Sequence, residues 1–366
     1  MTKKTKRIYK EKKYWKILGL MSGTSLDGLD LACVTLTQDQ DQGWHFTIQQ
    51  THTYPYSKEW TQRLSSLISL NDNELDEVDK AYTLYLATRI NEFISSHNIT
   101  ELDAICSHGH TALHKPHKKN TYQIGNRPEL ASLVGIPLVC DFRKQDVAFG
   151  GQGAPLVPIG DKELFNDFDA CLNLGGFANV SLLFAREDPI AFDVGGMNLV
   201  LNYLSEKLGK PFDEDGKIAQ KGNFIERLFQ SLEALPYYAK NPPKSLGVEW
   251  LEKEVYPIIE QSLVHHEVAD VMHTYACHIA HQLARVFENT KTILCTGGGT
   301  YNRMVMAELQ SQIKGDLQLP SRSIIEFKEA LIFGFLGVLR LMELPNCLSS
   351  VTGAVKNHSS GAVYFP

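Results

Sequence analysis

Between two apolar runs, Trp15–Met21 and Leu29–Leu36, the chain reads Ser22-Gly23-Thr24-Ser25-Leu26-Asp27-Gly28. Phosphate binding needs several N–H donors converging on one point with no Cβ in the way, and a Gly-Thr-Ser hairpin supplies these with two hydroxyls added. Asp27 and Asp30 follow closely, and a carboxylate beside phosphates commonly serves a hydrated Mg²⁺. An ordinary β-turn would use the same residues. The sequence contains no Gly-x4-Gly-Lys-Ser/Thr, and no Gly-x-Gly-x-x-Gly follows the first strand, which argues against a P-loop enzyme and a Rossmann dehydrogenase. A second cluster, Gly297-Gly298-Gly299, joins a strand pattern to a helix pattern, where a nucleotide can lie close against backbone. A tight strand-to-helix turn is the plainer alternative.

Two acids stand out. Asp193 closes a strand pattern and opens onto Gly195-Gly196, a place from which a carboxylate can act as general base or simply cap a turn. Glu329 begins an apolar helix, where it can reach a cleft or complement the helix N-terminus. His108, His110, His114 and His117 cluster without a metal-ligand spacing and with no thiolate among them, so hydrogen bonding to a substrate is the better expectation than zinc.

The elements that must position these groups alternate. Strand patterns at Trp15–Met21 and Leu29–Leu36 are followed by a helix with Leu75, Val78, Tyr82, Leu86, Ile90 and Phe93 on one face. A short strand, Leu102–Cys106, runs into Ser107-His108-Gly109-His110, and another, Ile136–Cys140, into Asp141-Phe142-Arg143. Gly150-Gly-Gln-Gly-Ala-Pro155 reads as a flexible junction, after which the opening arrangement recurs: strands 170–174 and 179–184 flank Gly175 and Gly176, and a third run ends at Asp193. Each half therefore predicts an α/β domain with glycine-rich loops facing a shared cleft. The expected domains are residues 1–160, with 346–366 returning to it, and 161–345.

With 366 residues the chain suits two cores, and 43% hydrophobic with 21% charged residues is ordinary for a globular protein. A net charge of -6 gives no global field for nucleic acid. Eight Lys and Arg crowd the first sixteen residues, which reads as a solvated tail rather than a basic arm. The apolar run 17–21 is too short for a signal peptide or a membrane span. Seven scattered cysteines without Cys-x-x-Cys argue against a disulfide framework and for a reducing, cytoplasmic setting.

Taken in order, Gly19-Leu-Met-Ser-Gly-Thr-Ser-Leu-Asp-Gly28, Ser107-His-Gly-His-Thr111, Thr121-Tyr-Gln-Ile-Gly125, Asp141-Phe-Arg143, Gly150–Pro155, Asn173-Leu-Gly-Gly-Phe-Ala-Asn179, Gly297-Gly-Gly299 and Ser350-Val-Thr-Gly-Ala354 resemble the signatures of the anhydro-N-acetylmuramic acid kinases. The resemblance runs from about residue 17 to the C-terminus. It implies the two-domain actin-like ATPase fold of acetate and sugar kinases, Hsp70 and actin, with ribonuclease H-like domains flanking a cleft. It implies ATP and Mg²⁺ as cofactors, an anhydro amino sugar as substrate, and a possible homodimer; no nucleic-acid or membrane partner is implied.

By the same resemblance, Gly23, Thr24, Ser25, Leu26, Asp27, Gly28, Leu29 and Asp30 line the ATP phosphates, with Asp27 a candidate for the metal. Gly175, Gly176, Gly297, Gly298 and Gly299 would receive the nucleotide, and His108, His110, Gln123 and Asn179 the sugar. Asp193 would activate water, and Arg143 and Glu329 would lie near sugar, phosphate or Mg²⁺. Two departures stand out. His110 replaces the Gln of many members, and Asp193-Val-Gly-Gly-Met-Asn198 replaces Asp-Thr-Gly-Pro-Gly-Asn, so that Met197 would reshape the pocket. The alternatives are a kinase for another 1,6-anhydro sugar such as levoglucosan, an inactive ATP-binding switch, and a glycosidase.

Overall fold

The apolar run that starts at Trp15 forms a strand whose residues Ile17, Leu18 and Leu20 are all buried, as an interior strand covered on both faces requires. The computed structural model describes residues 3–40, 43–183 and 188–366. Its strands are β1 (Tyr14–Ser22), β2 (Gly28–Gln38), β3 (Trp44–Pro55), β4 (Ala104–Lys115), β5 (Asn120–Ile124), β6 (Leu138–Cys140), β7 (Ala170–Leu174), β8 (Phe177–Leu182), β9 (Ile190–Gly196), β10 (Thr292–Thr296), β11 (Asp316–Gln318) and β12 (Ala362–Tyr364). One compact unit is Met1–Phe165 with Phe327–Pro366; the other is Asn166–Glu326. The return to the first unit thus begins at Phe327, earlier than 346, and brings Glu329 with it.

In the first unit the sheet order is β12-β6-β4-β1-β2-β3, with β5 paired to β4. In the second it is β11-β10-β7-β8-β9. Each sheet has a central strand (β1 or β7) that joins an antiparallel hairpin on one side and a parallel strand on the other. That shared order is the ribonuclease H-like arrangement, and the fold is of the actin-like ATPase class. The repeat visible in the sequence is a structural repeat.

Helices cover these sheets where the apolar periodicity places them. Leu75, Tyr82, Leu86, Ile90 and Phe93 are buried on the helix Asp72–Ser96, whose start is fixed by a capping box between Asn71 and Glu74. Val271, Tyr275, Ile279 and Leu283 are buried on the helix Val268–Val286. The helix Arg322–Leu341 comes unusually close to β1. A Cβ on Gly19 would stand 1.9 Å from the carbonyl oxygen of Ala330, so only glycine allows this approach.

Two expectations need correction. The strand expected to stop at Cys106 continues as β4 to Lys115, so His108, His110 and His114 stand on a strand and not in a loop. Gly109, at φ +73°, lies in the irregularity of the β1–β4 register that brings Ser22 opposite His110, and the β4–β5 irregularity falls at Ala112. The 150–155 stretch is not a linker either: it folds back inside the first unit, with the Gly151 N–H donating to the Asp146 carbonyl and the Gly153 N–H to its carboxylate. The strand expected over 179–184 ends at Leu182, and Phe184 lies outside the described residues.

Candidate active site

In the first unit, the β1–β2 hairpin carries the Gly-Thr-Ser segment at its tip. Leu26 adopts φ +60° and closes the turn by donating its N–H to Gly23 O over 3.4 Å. Thr24, Ser25 and Asp27 are exposed. Among the described residues, the amides of Gly23, Thr24 and Ser25 find no protein acceptor, which leaves donors for an anion at an open tip. Asp27 Oδ1 accepts from Ser25 Oγ (2.8 Å) and the Gly28 N–H (3.1 Å), while Oδ2 has no partner among the described residues. Asp30, half-buried in β2, accepts from Thr53 Oγ1 at 2.6 Å. Leu29 corrects an expectation: its side chain is buried in the core and cannot be presented to a ligand.

Below the tip lies a buried polar chain that the sequence did not disclose. Ser22 Oγ is 2.7 Å from Tyr56 Oη and 2.8 Å from His110 Nδ1, and Tyr56 Oη is 2.6 Å from Tyr82 Oη. Burial lowers the His110 pKa to about 4, so the ring is neutral. Ser22 and His110 sit opposite each other on β1 and β4, which fixes the base of the hairpin.

Arg143, His108 and Gln123 gather beside it. The Arg143 Nε–H donates to His108 Nε2 (2.9 Å) and Nη1 to Gly153 O (2.6 Å). His108 Nδ1 must then carry the ring proton, because its partner at 2.9 Å is the carbonyl oxygen of Gly109. Burial first, and the Arg143 charge second, hold the His108 pKa well below the ordinary value. Gln123 Nε2 donates to Thr121 Oγ1 (2.9 Å), which also meets His114 Nδ1 (3.1 Å). Gln123 Oε1 is buried with no hydrogen-bond partner among the described residues, an acceptor waiting for a donor. His117 stands apart, exposed in the β4–β5 turn.

Glu329 keeps direct access to solvent, yet the protein around it is dense enough to raise its pKa. The charges of Arg143 and Lys328 oppose that rise, and those of Asp161 and Asp27 add to it. Arg143 stays a cation despite burial, with Glu329 the anion that most favours its charge.

In the second unit, Asp193 and Asn179 face each other across the β8–β9 pair. The register shifts between Ala178 and Asn179, so Val194 is a bulge residue directly after the acid. Asp193 Oδ2 accepts the Leu246 N–H at 2.9 Å, and its backbone is held by Lys244 O (3.2 Å) and the Tyr237 hydroxyl (2.7 Å). Oδ1 has no partner among the described residues. Burial raises the Asp193 pKa and the Leu246 amide only partly offsets it. A carboxylate with one oxygen anchored, one oxygen free and a raised pKa has the properties of a general base.

Gly175 and Gly176 form the β7–β8 turn and cap the helix Asn198–Glu206: their carbonyls accept from the N–H groups of Asn198 (3.2 Å) and Met197 (2.8 Å). Gly297 takes φ +83°, where a Cβ would lie 2.5 Å from Asn173 Oδ1. Gly298 is exposed and its Cα faces open space, with nothing nearer to an added Cβ than Asn198 Nδ2 at 4.0 Å. Gly299 differs from expectation. It is buried against Leu174 and Met197, and its missing Cβ serves packing rather than a ligand. Met197 is itself fully buried in the core, so this departure does not reach the surface where Asp193 stands.

Residues 15–366 match the profile of the anhydro-N-acetylmuramic acid kinase family. The chain belongs to that family. Anhydro-N-acetylmuramic acid kinases of Sulfurimonas denitrificans and Pasteurella multocida are 32% and 35% identical to it, each over 95% of this chain and over 98% and 96% of their own lengths. Among solved structures, component A of the (R)-2-hydroxyglutaryl-CoA dehydratase of Acidaminococcus fermentans is a distant likeness, 11% identical over 90% of this chain and 99% of that one with a TM-score of 0.49. As a member of the anhydro-N-acetylmuramic acid kinase family, the chain is a phosphotransferase that uses ATP and small-molecule substrates. No helix among the described residues is long and apolar enough to cross a membrane.

Proposed function

We propose that this protein opens 1,6-anhydro-N-acetylmuramic acid with water and phosphorylates the released O6, giving N-acetylmuramic acid 6-phosphate and ADP, in cell-wall recycling. Asp193 takes a proton from water through its free Oδ1 as the water oxygen bonds to C1. The C1–O6 bond breaks, and O6 bonds to the γ-phosphorus as the bond to ADP breaks. The proton on Asp193 then returns to solvent. No separate strong acid is needed, because phosphoryl transfer captures the leaving oxygen. The observation that carries this reading is the Asp193 carboxylate, held by the Leu246 amide on one oxygen and unpartnered on the other among the described residues.

The Gly23, Thr24 and Ser25 amides and the exposed hydroxyls beside them suit the ATP phosphates, and open space over Gly298 suits the nucleotide. A bound Mg²⁺ would neutralise phosphate charge, and the exposed carboxylates of Asp27 and Glu329 are the groups that fit it. Arg143 supplies fixed positive charge and is oriented by His108, while Gln123 Oε1, without a partner among the described residues, suits a sugar hydroxyl. The seven cysteines are all buried, and the reaction consumes ATP, so the proposed compartment is the cytoplasm. Comparing kcat/KM for 1,6-anhydro-N-acetylmuramic acid and levoglucosan tests the substrate. A clear preference for the amino sugar is expected, and an equal or better rate with levoglucosan would transfer the assignment to the simpler sugar.

A further inference from the structure

A second group of reactive side chains lies in the first unit, behind Arg143. Asp146 stands on the short helix Lys144–Ala148, and Cys347 and His358 pair with each other as an isolated antiparallel bridge in the C-terminal segment. All three are buried, at 0%, 1% and 5% exposure. Their carboxylate oxygen, sulfur and imidazole nitrogen lie within 4.8 Å of one another.

The hydrogen bonds fix which atoms face inward. His358 Nδ1 is 3.0 Å from the carbonyl oxygen of Lys356, which can only accept, so Nδ1 carries the ring proton and Nε2 presents a lone pair. That lone pair is 3.6 Å from Asp146 Oδ1, another acceptor, and Nε2 is buried with no hydrogen-bond partner among the described residues. Two buried acceptors facing each other need positive charge between them. A second ring proton would supply it, and so would a metal ion. The thiol of Cys347 at the same point favours the metal, because an imidazolium–carboxylate pair has no use for a soft third donor.

We infer that Asp146, Cys347 and His358 form a zinc site. One nitrogen, one oxygen and one sulfur are ordinary zinc donors, with a fourth position left for water. The double positive charge of zinc balances the Asp146 carboxylate and the Cys347 thiolate, so the buried site is neutral. The supporting hydrogen bonds that metal ligands need are present. His358 donates its other ring N–H to a carbonyl, and Asp146 accepts from Thr352 Oγ1 (2.7 Å) and the Gly153 N–H (2.7 Å). Zinc bonds of about 2.0–2.3 Å place tetrahedral ligand atoms roughly 3.3–3.7 Å apart, so from separations of at most 4.8 Å the cluster closes by no more than about 1.5 Å. Binding releases the thiol proton to solvent and ends the weak contact of Cys347 Sγ with Phe142 O at 3.9 Å. Because Gly153 O in turn receives Arg143, the ion would stiffen the turn behind that arginine and tie the C-terminal segment to it.

The test uses the full-length protein, stripped with a chelator and titrated with Co²⁺ and then Zn²⁺. One equivalent of Co²⁺ should produce a thiolate-to-cobalt charge-transfer band in the near ultraviolet, and Zn²⁺ should abolish it. Cys347→Ser should lose the band, and His358→Gln should bind Zn²⁺ at least about tenfold more weakly. If the wild-type protein takes up no Co²⁺, or takes it up without the band, the site is refuted and a proton alone bridges His358 and Asp146. Zinc affinity unchanged in both variants would refute it equally.

Discussion

Arg143 donates its Nε–H to His108 Nε2 over 2.9 Å, and the imidazole passes its own Nδ1–H to the carbonyl oxygen of Gly109. This pair locks a half-buried guanidinium in one orientation and keeps the histidine neutral. Arg143→Lys keeps a charge but loses the planar fork that serves His108 and Gly153 together. The expected result is a 10- to 100-fold fall in kcat/KM for the sugar, about 1.4–2.7 kcal/mol for charged hydrogen bonds, with ATP affinity nearly unchanged. Steady-state kinetics with each substrate varied in turn would check it.

His108 also makes stability depend on pH. Its pKa in the fold is lowered by burial and then by Arg143, so the unfolded chain binds the proton more readily than the folded one. The stability it helps set is complete above the ordinary value of 6.5 and is lost as pH falls below it. In His108→Asn, thermal unfolding between pH 5 and 7.5 should show a flatter loss on the acid side than in the parent. An identical slope would mean that His108 is not the group responsible.

His110 replaces a glutamine common in the family, yet its neutral ring does one job, hydrogen bonding to Ser22 Oγ at 2.8 Å. A glutamine amide can do the same. His110→Gln should keep kcat/KM within about tenfold of the parent, a difference below about 1.4 kcal/mol. The shape of the pH–rate profile above pH 5 should not change, because the His110 pKa of about 4 lies below that range.

Gly19→Ala tests the close approach of the helix that carries Glu329. The new methyl would lie 1.9 Å from the Ala330 carbonyl oxygen, and rigid backbone cannot yield as a side chain can. Destabilisation of about 3 kcal/mol or more is expected, at the upper end for overpacking, measured by urea unfolding. A loss under 1 kcal/mol would show that the helix slides freely on β1.

Much of this was legible because glycine, hydroxyl and acidic residues concentrate where backbone must bend and bind. Gly23 to Asp27 and Asp193 are of that kind, and so is the repeated strand–turn–strand opening of each unit. The rest depends on contacts that no local pattern reveals. Ser107-His-Gly-His has the polarity of a loop, yet β4 continues through it because Ser22 supplies a partner for His110. The anchor of Asp193 comes from an amide 53 residues away. Gly299 and Met197 read as site residues because they sit in conspicuous glycine-rich turns, but they fill each other's space inside the core. Asp146 carries no local signal, since a buried acid tying two glycines and a threonine looks like any other acid in sequence.

Asp193 links rate and stability with opposite signs. Burial raises its pKa, so the folded state favours the protonated acid, and the stability this contributes is present at low pH and lost as pH rises through the raised value. Asp193→Asn should therefore unfold at a higher temperature than the parent at pH 7, with the difference shrinking in acid. Its kcat should fall about 10²–10⁴-fold, the usual range for a lost general base, while ATP still binds. In the parent, kcat/KM should decline as pH falls through a value above the ordinary 3.8 of aspartate.

The most direct measurement is mass spectrometry of the product formed from 1,6-anhydro-N-acetylmuramic acid and MgATP in ¹⁸O-water. One heavy oxygen at C1 and one unlabelled phosphate on O6 are expected, with Asp193→Asn forming this product at least about 100-fold more slowly. Heavy oxygen in the phosphate, ring opening without phosphate, or full turnover by the Asp193 variant would contradict water attack at C1 by this base.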